Sequence, residues 1–227
     1  MKHKLRIMVF LFMILASLFM IQPVFAADDI GQSRISPASP LYFLKSVREI
    51  LELKFAPTIH IRSLRELEFA NRRVREVNSL VNSPHEDLIQ PTLEKYWSGL
   101  GQLIGISDLR DENQAEQVSR SISLHMSLLQ KVFSQVSDSK AQRSIRSTVF
   151  RLSEWDNRLI SKLNTGKHFT FAQEIENSKI SGCRFLTREA SSSAFNDIER
   201  VVTIERAKKC FKDLGSYNSQ AADQQQL

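Results

Sequence analysis

The chain has 227 residues, 42% of them hydrophobic and 25% charged, values that allow a packed core and exclude wholesale disorder. The formal net charge of +6 falls to +3 once residues 1–26 are set aside, because they hold three of the 31 bases and none of the 25 acids. The remaining bases are interleaved with acids rather than gathered into one stripe, which argues against a nucleic-acid partner.

Residues 1–26 have the three parts of a secretory signal peptide. Lys2, Lys4 and Arg6 form the basic start, Ile7 to Ile21 the apolar run, and Val24-Phe25-Ala26 the small-residue cleavage site behind Gln22-Pro23. The apolar run of 15 residues is shorter than the roughly 20 that a spanning helix needs. Cleavage after Ala26 is therefore expected, with no cysteine nearby to carry a lipid. Cut or kept as an anchor, the leader places the domain outside the cytoplasm, and a kept leader is the one membrane contact expected.

Residues 27–38 are polar, lack apolar periodicity and read as a linker. Ser39-Pro40 has the form of an N-cap followed by proline at the first helical position. Behind it Leu44, Val47, Leu51 and Phe55 recur at helical spacing and predict a buried face. Ala56-Pro57-Thr58 breaks that helix and opens a second, striped by Ile61, Leu64, Leu67, Val74, Val77 and Val81. Its Glu68, Arg72 and Glu76 stand four apart and read as a solvated ladder.

Ser83-Pro84-His85-Glu86 has the spacing of a capping box before a third helix. That helix carries Ile89, Leu93, Trp97, Leu100 and Ile104, with Pro91 near its first turn and Gly105 at its end. From Asp108 to about Val136 the stripe Val118, Ile122, His125, Leu129, Val132 and Val136 predicts the longest helix. Ser137-Asp138-Ser139 turns the chain into a fifth, carrying Ala141, Ile145, Thr148, Leu152, Trp155 and Leu159. So short a turn between two long amphipathic helices predicts an antiparallel hairpin.

Gly166 ends the fifth helix, and Thr170 opens a brief sixth. The segment 183–214 reads as a smaller helical hairpin broken at Ser191-Ser192-Ser193, and 215–227 as a disordered tail. Cys183 and Cys210 lie near opposite ends of the two arms, so antiparallel arms bring them side by side. In an oxidising compartment these positions predict a disulfide. A redox pair or half a metal site finds no Cys-x-x-Cys and no adjacent histidine in its favour.

Few residues stand in patterns that carry chemistry. His60, His85, His125 and His168 never fall at the i,i+3 or i,i+4 spacing of helical metal ligands. The densest donor group, His85-Glu86-Asp87, is also what the macrodipole favours at a helix start. His125 beside Met126 is the other candidate for a soft ion, against the plainer reading of a hydrogen-bonded core histidine. No Gly-x-Ser-x-Gly elbow occurs. Glu154 and Asp156 point in different directions on one helix, and Gly99 and Gly101 lie inside an apolar helical pattern. Neither an enzyme nor a cofactor is expected.

The run Ser39-Pro40-Leu41-Tyr42-Phe43-Leu44-Lys45 resembles the opening motif of a bacterial family of extracytoplasmic domains of unknown function (family 5667). The likeness continues through Ala70-Asn71-Arg72-Arg73 and Leu124-His125, followed by Leu129, Val132 and Val136, and covers roughly residues 38–164. Where the family often has proline after the position of Val136, this chain has Ser137. The resemblance implies an all-helical exported module with no activity assigned, and it places His125 at a family-typical histidine.

The fold expected is all-α: residues 39–165 as a helical bundle with a long antiparallel hairpin, and 166–214 as a small disulfide-stapled helical hairpin. The function expected is a non-catalytic interaction or structural module with protein partners outside the cytoplasm. The alternative is a metal- or stress-responsive binding protein in the same compartment, with His85, Glu86, His125 and Met126 as donors.

Overall fold

The computed structural model describes residues 33, 35–106, 112–160, 168–191 and 196–224. The leader 1–26 lies outside them, as do most of the linker and the residues around Gly166. Among the described residues every regular element is helical: α1 Tyr42–Lys54, α2 Ile59–Leu80, a 3-10 turn Glu86–Leu88, α3 Ile89–Ile106, α4 Glu112–Phe133, α5 Ser139–Ile160, α6 His168–Ala190 and α7 Asp197–Gln224.

Helices α2 to α5 form a four-helix bundle. The pairs α2–α3 and α4–α5 are hairpins, α2 also packs on α4, and α3 packs on α5. The pattern that drives this is a three–four alternation of apolar positions, which keeps one seam of each helix turned inward. In α3 the seam is Ile89, Leu93, Tyr96, Leu100 and Leu103, all essentially without exposure. In α4 it is Val118, Ile122, Met126, Leu129 and Val132, and in α5 Ala141, Ile145, Val149 and Leu152. The α3 seam runs through Tyr96 rather than Trp97. Trp97 sits at the edge, where its indole N–H donates to Thr148 Oγ1 at 3.2 Å and the Arg151 guanidinium lies 3.9 Å over its ring.

The turns are closed by side chains that match their positions. Thr58 Oγ1 accepts the Ile61 N–H at 3.2 Å and caps α2, while Asp138 Oδ1 accepts the Ala141 N–H at 2.7 Å and caps α5. Asn82 takes the left-handed conformation, φ 56°, that reverses the chain after α2 and that asparagine tolerates better than most residues. The start of α1 departs from expectation. Ser39 is not its N-cap: the helix begins at Tyr42 behind Leu41, and Ser39 and Pro40 belong to the preceding turn.

Helices α6 and α7 make a third hairpin that packs on α4 and α5 instead of swinging free. Phe185 meets Phe133 edge-to-face with ring centres 4.9 Å apart, and Arg146 pairs with Glu189 at 3.4 Å. Cys183 and Cys210 are joined by a disulfide, with Cα atoms 5.6 Å apart. The first arm is one continuous helix from His168, not a brief helix followed by a hairpin arm. Two of its hydroxyls tie it to α4: Ser181 donates to Gln130 Oε1 at 2.9 Å and Ser178 to the Ser123 carbonyl at 3.4 Å. The second arm runs on to Gln224, through much of the segment that composition reads as a tail. None of the described helices is long and apolar enough to cross a membrane.

Candidate functional site

Helix α1 lies on α2 with its charged face inward. The inward positions Tyr42, Lys45, Glu49 and Glu52 recur every three or four residues, so they share one side of the helix. They meet Arg72, Arg73 and Glu76 of α2. Glu76 is fully buried and accepts from the Tyr42 hydroxyl at 2.9 Å, from Arg73 Nη1 at 2.5 Å and from Lys45 Nζ at 2.6 Å. Arg73 also donates to the Tyr42 hydroxyl oxygen at 2.7 Å and to Glu49. Arg72 stands 3.6 Å from Glu49 and 3.7 Å from Glu52, and donates to Glu68 at 3.2 Å.

This geometry overturns the solvated-ladder reading of Glu68, Arg72 and Glu76, because α1 covers that face and Glu76 has no exposure. Burial raises the Glu49 carboxyl above the ordinary range, with Arg73, Lys45 and Arg72 working against the rise. For Arg73, burial pulls the pKa down, but Glu49 and Glu76 outweigh it and hold the guanidinium charged. Burial, together with the neighbouring Glu76, pushes the Tyr42 hydroxyl well up, so it acts as a neutral relay between an arginine and a carboxylate. Removing one member of such a set leaves a buried charge unpaired, which typically costs about 3–5 kcal/mol.

The consequence is a helix whose apolar face looks out. Phe43 is 62% exposed, Ile50 64% and Phe55 66%, and Leu44, Val47 and Leu51 are open as well. The expectation that Leu44, Val47, Leu51 and Phe55 form a buried face is therefore corrected. An amphipathic pattern fixes the direction of the two faces relative to each other, and here charge pairing with α2 decides which one turns inward. A second open stripe runs along α7 at Ile198, Val201 and Val202. Between α6 and α7 a groove of about 630 Å³ is lined by Ile180, Arg184, Arg188 and Phe211 among others.

A second polar cluster lies inside the bundle. His125 is fully buried in α4, with Nε2 2.7 Å from Asn71 Oδ1 of α2 and Nδ1 3.0 Å from the Tyr96 hydroxyl of α3. An oxygen facing Nε2 requires that nitrogen to carry the proton, so Nδ1 accepts from Tyr96. Burial and then the positive Arg75 lower the His125 pKa to about 3, which keeps the ring neutral through the physiological range. Met126 is packed in the apolar core. Nearby, Glu66 of α2 is buried against Gly99 of α3, and its Oε1 has no hydrogen-bond partner among the described residues.

Glu86 does not close a capping box on Ser83, whose N–H donates to the Leu80 carbonyl. Its Oε2 reaches the other hairpin and accepts from the Ser137 N–H and hydroxyl at 2.8 Å each and from the Asp138 N–H at 2.9 Å. Burial raises its pKa, but the hydrogen bonds from Asp138, Ser137 and Asn82 prevail and hold it below the ordinary carboxylate value. Ser83 Oγ accepts the His85 N–H at 3.2 Å, and the His85 side chain is exposed. The four metal candidates thus serve two separate places: His85 and Glu86 at the hairpin ends, His125 and Met126 in the core. Among the described residues no three His, Cys, Asp or Glu side chains converge as ligands.

Two groups of residues escape a reading by spacing. Tyr96 lies one position from the tryptophan that draws attention in α3, and of the buried α1–α2 charges only Glu76 enters the spacing, as part of a solvated ladder. The available signal was the spacing Tyr42, Lys45, Glu49 and Glu52, as regular as the apolar stripe opposite. Residues 34–157, more than half of the chain, match the family described as Domain of unknown function (DUF5667). No curated protein and no solved structure matches the chain.

Proposed function

The chain belongs to the DUF5667 family of domains of unknown function, and from that premise we propose that it is an exported, non-catalytic helical module that binds partners outside the bacterial cytoplasm. The observation that carries this reading is the pair of open apolar stripes, on α1 and on α7. Scattered apolar residues on a surface need no explanation, but contiguous ones mark interaction surfaces. The leader-like residues 1–26 and the joined cysteine pair suit an oxidising compartment.

The polar clusters support the same reading. Charges in the α1–α2 network face one another rather than a cleft, and both ring nitrogens of His125 are occupied by protein groups. They hold helices in register, a role that does not require a substrate. The metal-binding alternative has no observation in its favour, since Glu86 is committed to the turn between α4 and α5 and His125 to its two neighbours.

The test uses the full-length chain in a bacterial host, with a photo-crosslinking residue in place of Val47 or Val201 and at exposed Lys131 as the control. Adducts from the two apolar positions alone, on protein found outside the cytoplasm and beginning at Ala27, are expected. Retention in the cytoplasm, or adducts that form equally at Lys131, would overturn the proposal.

A further inference from the structure

We infer that the outward face of α1 docks on an anionic lipid surface, lying in the plane of the membrane. The inference deepens the reading above, on which it depends only for where the protein meets a membrane. Three observations carry it. The first is extent. Phe43, Leu44, Val47, Ile50, Leu51 and Phe55 form one continuous face. Together they leave on the order of 600 Å² open, the upper end of what a monomer shows without a partner.

The second observation is charge. Residues 35–65 contain two acids, Glu49 and Glu52, and both are turned inward with side chains under a tenth exposed. Of the five bases of the same segment Lys45 is turned inward to Glu76, and the other four remain at the surface: Arg48 and Arg65 partly open, Lys54 and Arg62 exposed. Lys54 follows Val47 by seven residues and Ile50 by four, so it continues the apolar line itself. An apolar face with basic residues along it and no open carboxylate is the composition of an interfacial helix, whose lysines reach lipid phosphates while its rings enter the acyl boundary.

The third is position in the chain. The apolar run ending at Ile21 is 21 positions from Tyr42, a reach of roughly 70–75 Å at full extension. Cleavage after Ala26 removes that tether, and only a chain that keeps it would hold α1 within this reach of the membrane. A second copy suits this face less well. It brings the same acid-free surface, which would leave Lys54 buried without a counter-charge. The α7 stripe is no better matched: its open acids Asp197 and Glu205 already face Arg200 and Lys208, and Lys209 and Lys212 add further positive charge.

The experiment is co-sedimentation of the chain starting at Ala27, which keeps every described residue, with two kinds of vesicle. One is an equal mixture of phosphatidylglycerol and phosphatidylcholine, the other phosphatidylcholine alone, both at about 50 mM salt. Binding at least about tenfold stronger to the anionic vesicles is expected, because each basic residue at such a surface contributes about fivefold. Ile50→Glu and Lys54→Glu are each expected to weaken it about tenfold or more, and both positions are exposed enough that the melting temperature should stay unchanged. Absent or equal binding to the two vesicles would overturn the inference. So would binding that both variants leave intact, or a concentration-dependent dimer that Ile50→Glu dissolves. The measurement uses purified protein, so its failure is distinct from a failure of the chain to be exported.

Discussion

Replacing His125 by glutamine should change how stability depends on pH, and the buried cluster sets both the sign and the size. In the folded protein the His125 pKa is lowered to about 3, whereas the unfolded chain has the ordinary value near 6.5. Above pH 6.5 the ring is neutral in both states and titration contributes nothing. Below it the unfolded chain takes up a proton that the folded one refuses, so the wild type loses about 1.4 kcal/mol per pH unit down to the folded pKa. Between pH 6.5 and 4.5 that loss is about 2.7 kcal/mol. Glu49, Glu66 and Glu189 act the other way, because burial raises their folded values and acid relieves the cost of keeping them charged. Those contributions are common to wild type and variant and cancel in the difference. At pH 7 the variant should be less stable by about 1–3 kcal/mol, the cost of poorly satisfied buried polar groups. That deficit should vanish or reverse near pH 4.5. Urea unfolding followed by far-ultraviolet circular dichroism, at half-unit pH steps with the disulfide intact, measures it. Two stability curves that run parallel from pH 7 to 4.5 would refute the reasoning.

Three further outcomes follow from the same geometry. Arg73→Met should destabilise the seating of α1 on α2 by about 3–5 kcal/mol, read as faster hydrogen exchange in residues 42–54, and Glu49→Met in the same chain should restore part of the loss. Reducing the Cys183–Cys210 bond, with its sequence separation of 27, should lower stability by about 3–4 kcal/mol in the chain-entropy account, seen as an earlier melting of α6 and α7. Glu86→Gln should cost about 1–2 kcal/mol near neutrality. Because the folded Glu86 pKa is lowered, its stabilisation is present above the unfolded value near 4.3 and fades as pH falls further, so the melting temperatures of variant and wild type should draw together as pH falls below that value.

Much of the helical layout was legible because it depends on local causes. Proline and small polar residues break the chain at Ala56-Pro57-Thr58 and Ser137-Asp138-Ser139, where helices do end and begin. The apolar spacing through Val118, Ile122, Leu129 and Val132 can only be satisfied by one buried seam. Ser178 and Ser181 of α6 add a tertiary contribution that no local pattern carries, since both are bonded across to α4.

The candidate sites were less legible, and the reason is physical. Glu86 and Ser137 are 51 positions apart, as are Trp97 and Thr148, while Asn71 and His125 are 54 apart, and no local pattern encodes such pairs. His125 stands on an apolar stripe, and spacing alone raises a choice between ligand and core residue that its two bonded nitrogens answer.

By itself the amino-acid sequence determined the helical class, the positions of most breaks and the amphipathic character of each helix, because these follow from backbone preferences and from periodicities of three and four residues. Only the tertiary structure decided which side of α1 is inside. Its charged and apolar faces are equally regular, and burial of Glu76 with Arg73, Lys45 and Tyr42 turns the charged one toward α2. Spacing measures the contrast between two faces and carries no sign. The sign comes from what the neighbouring helix offers, and α2 offers Arg72, Arg73 and Glu76.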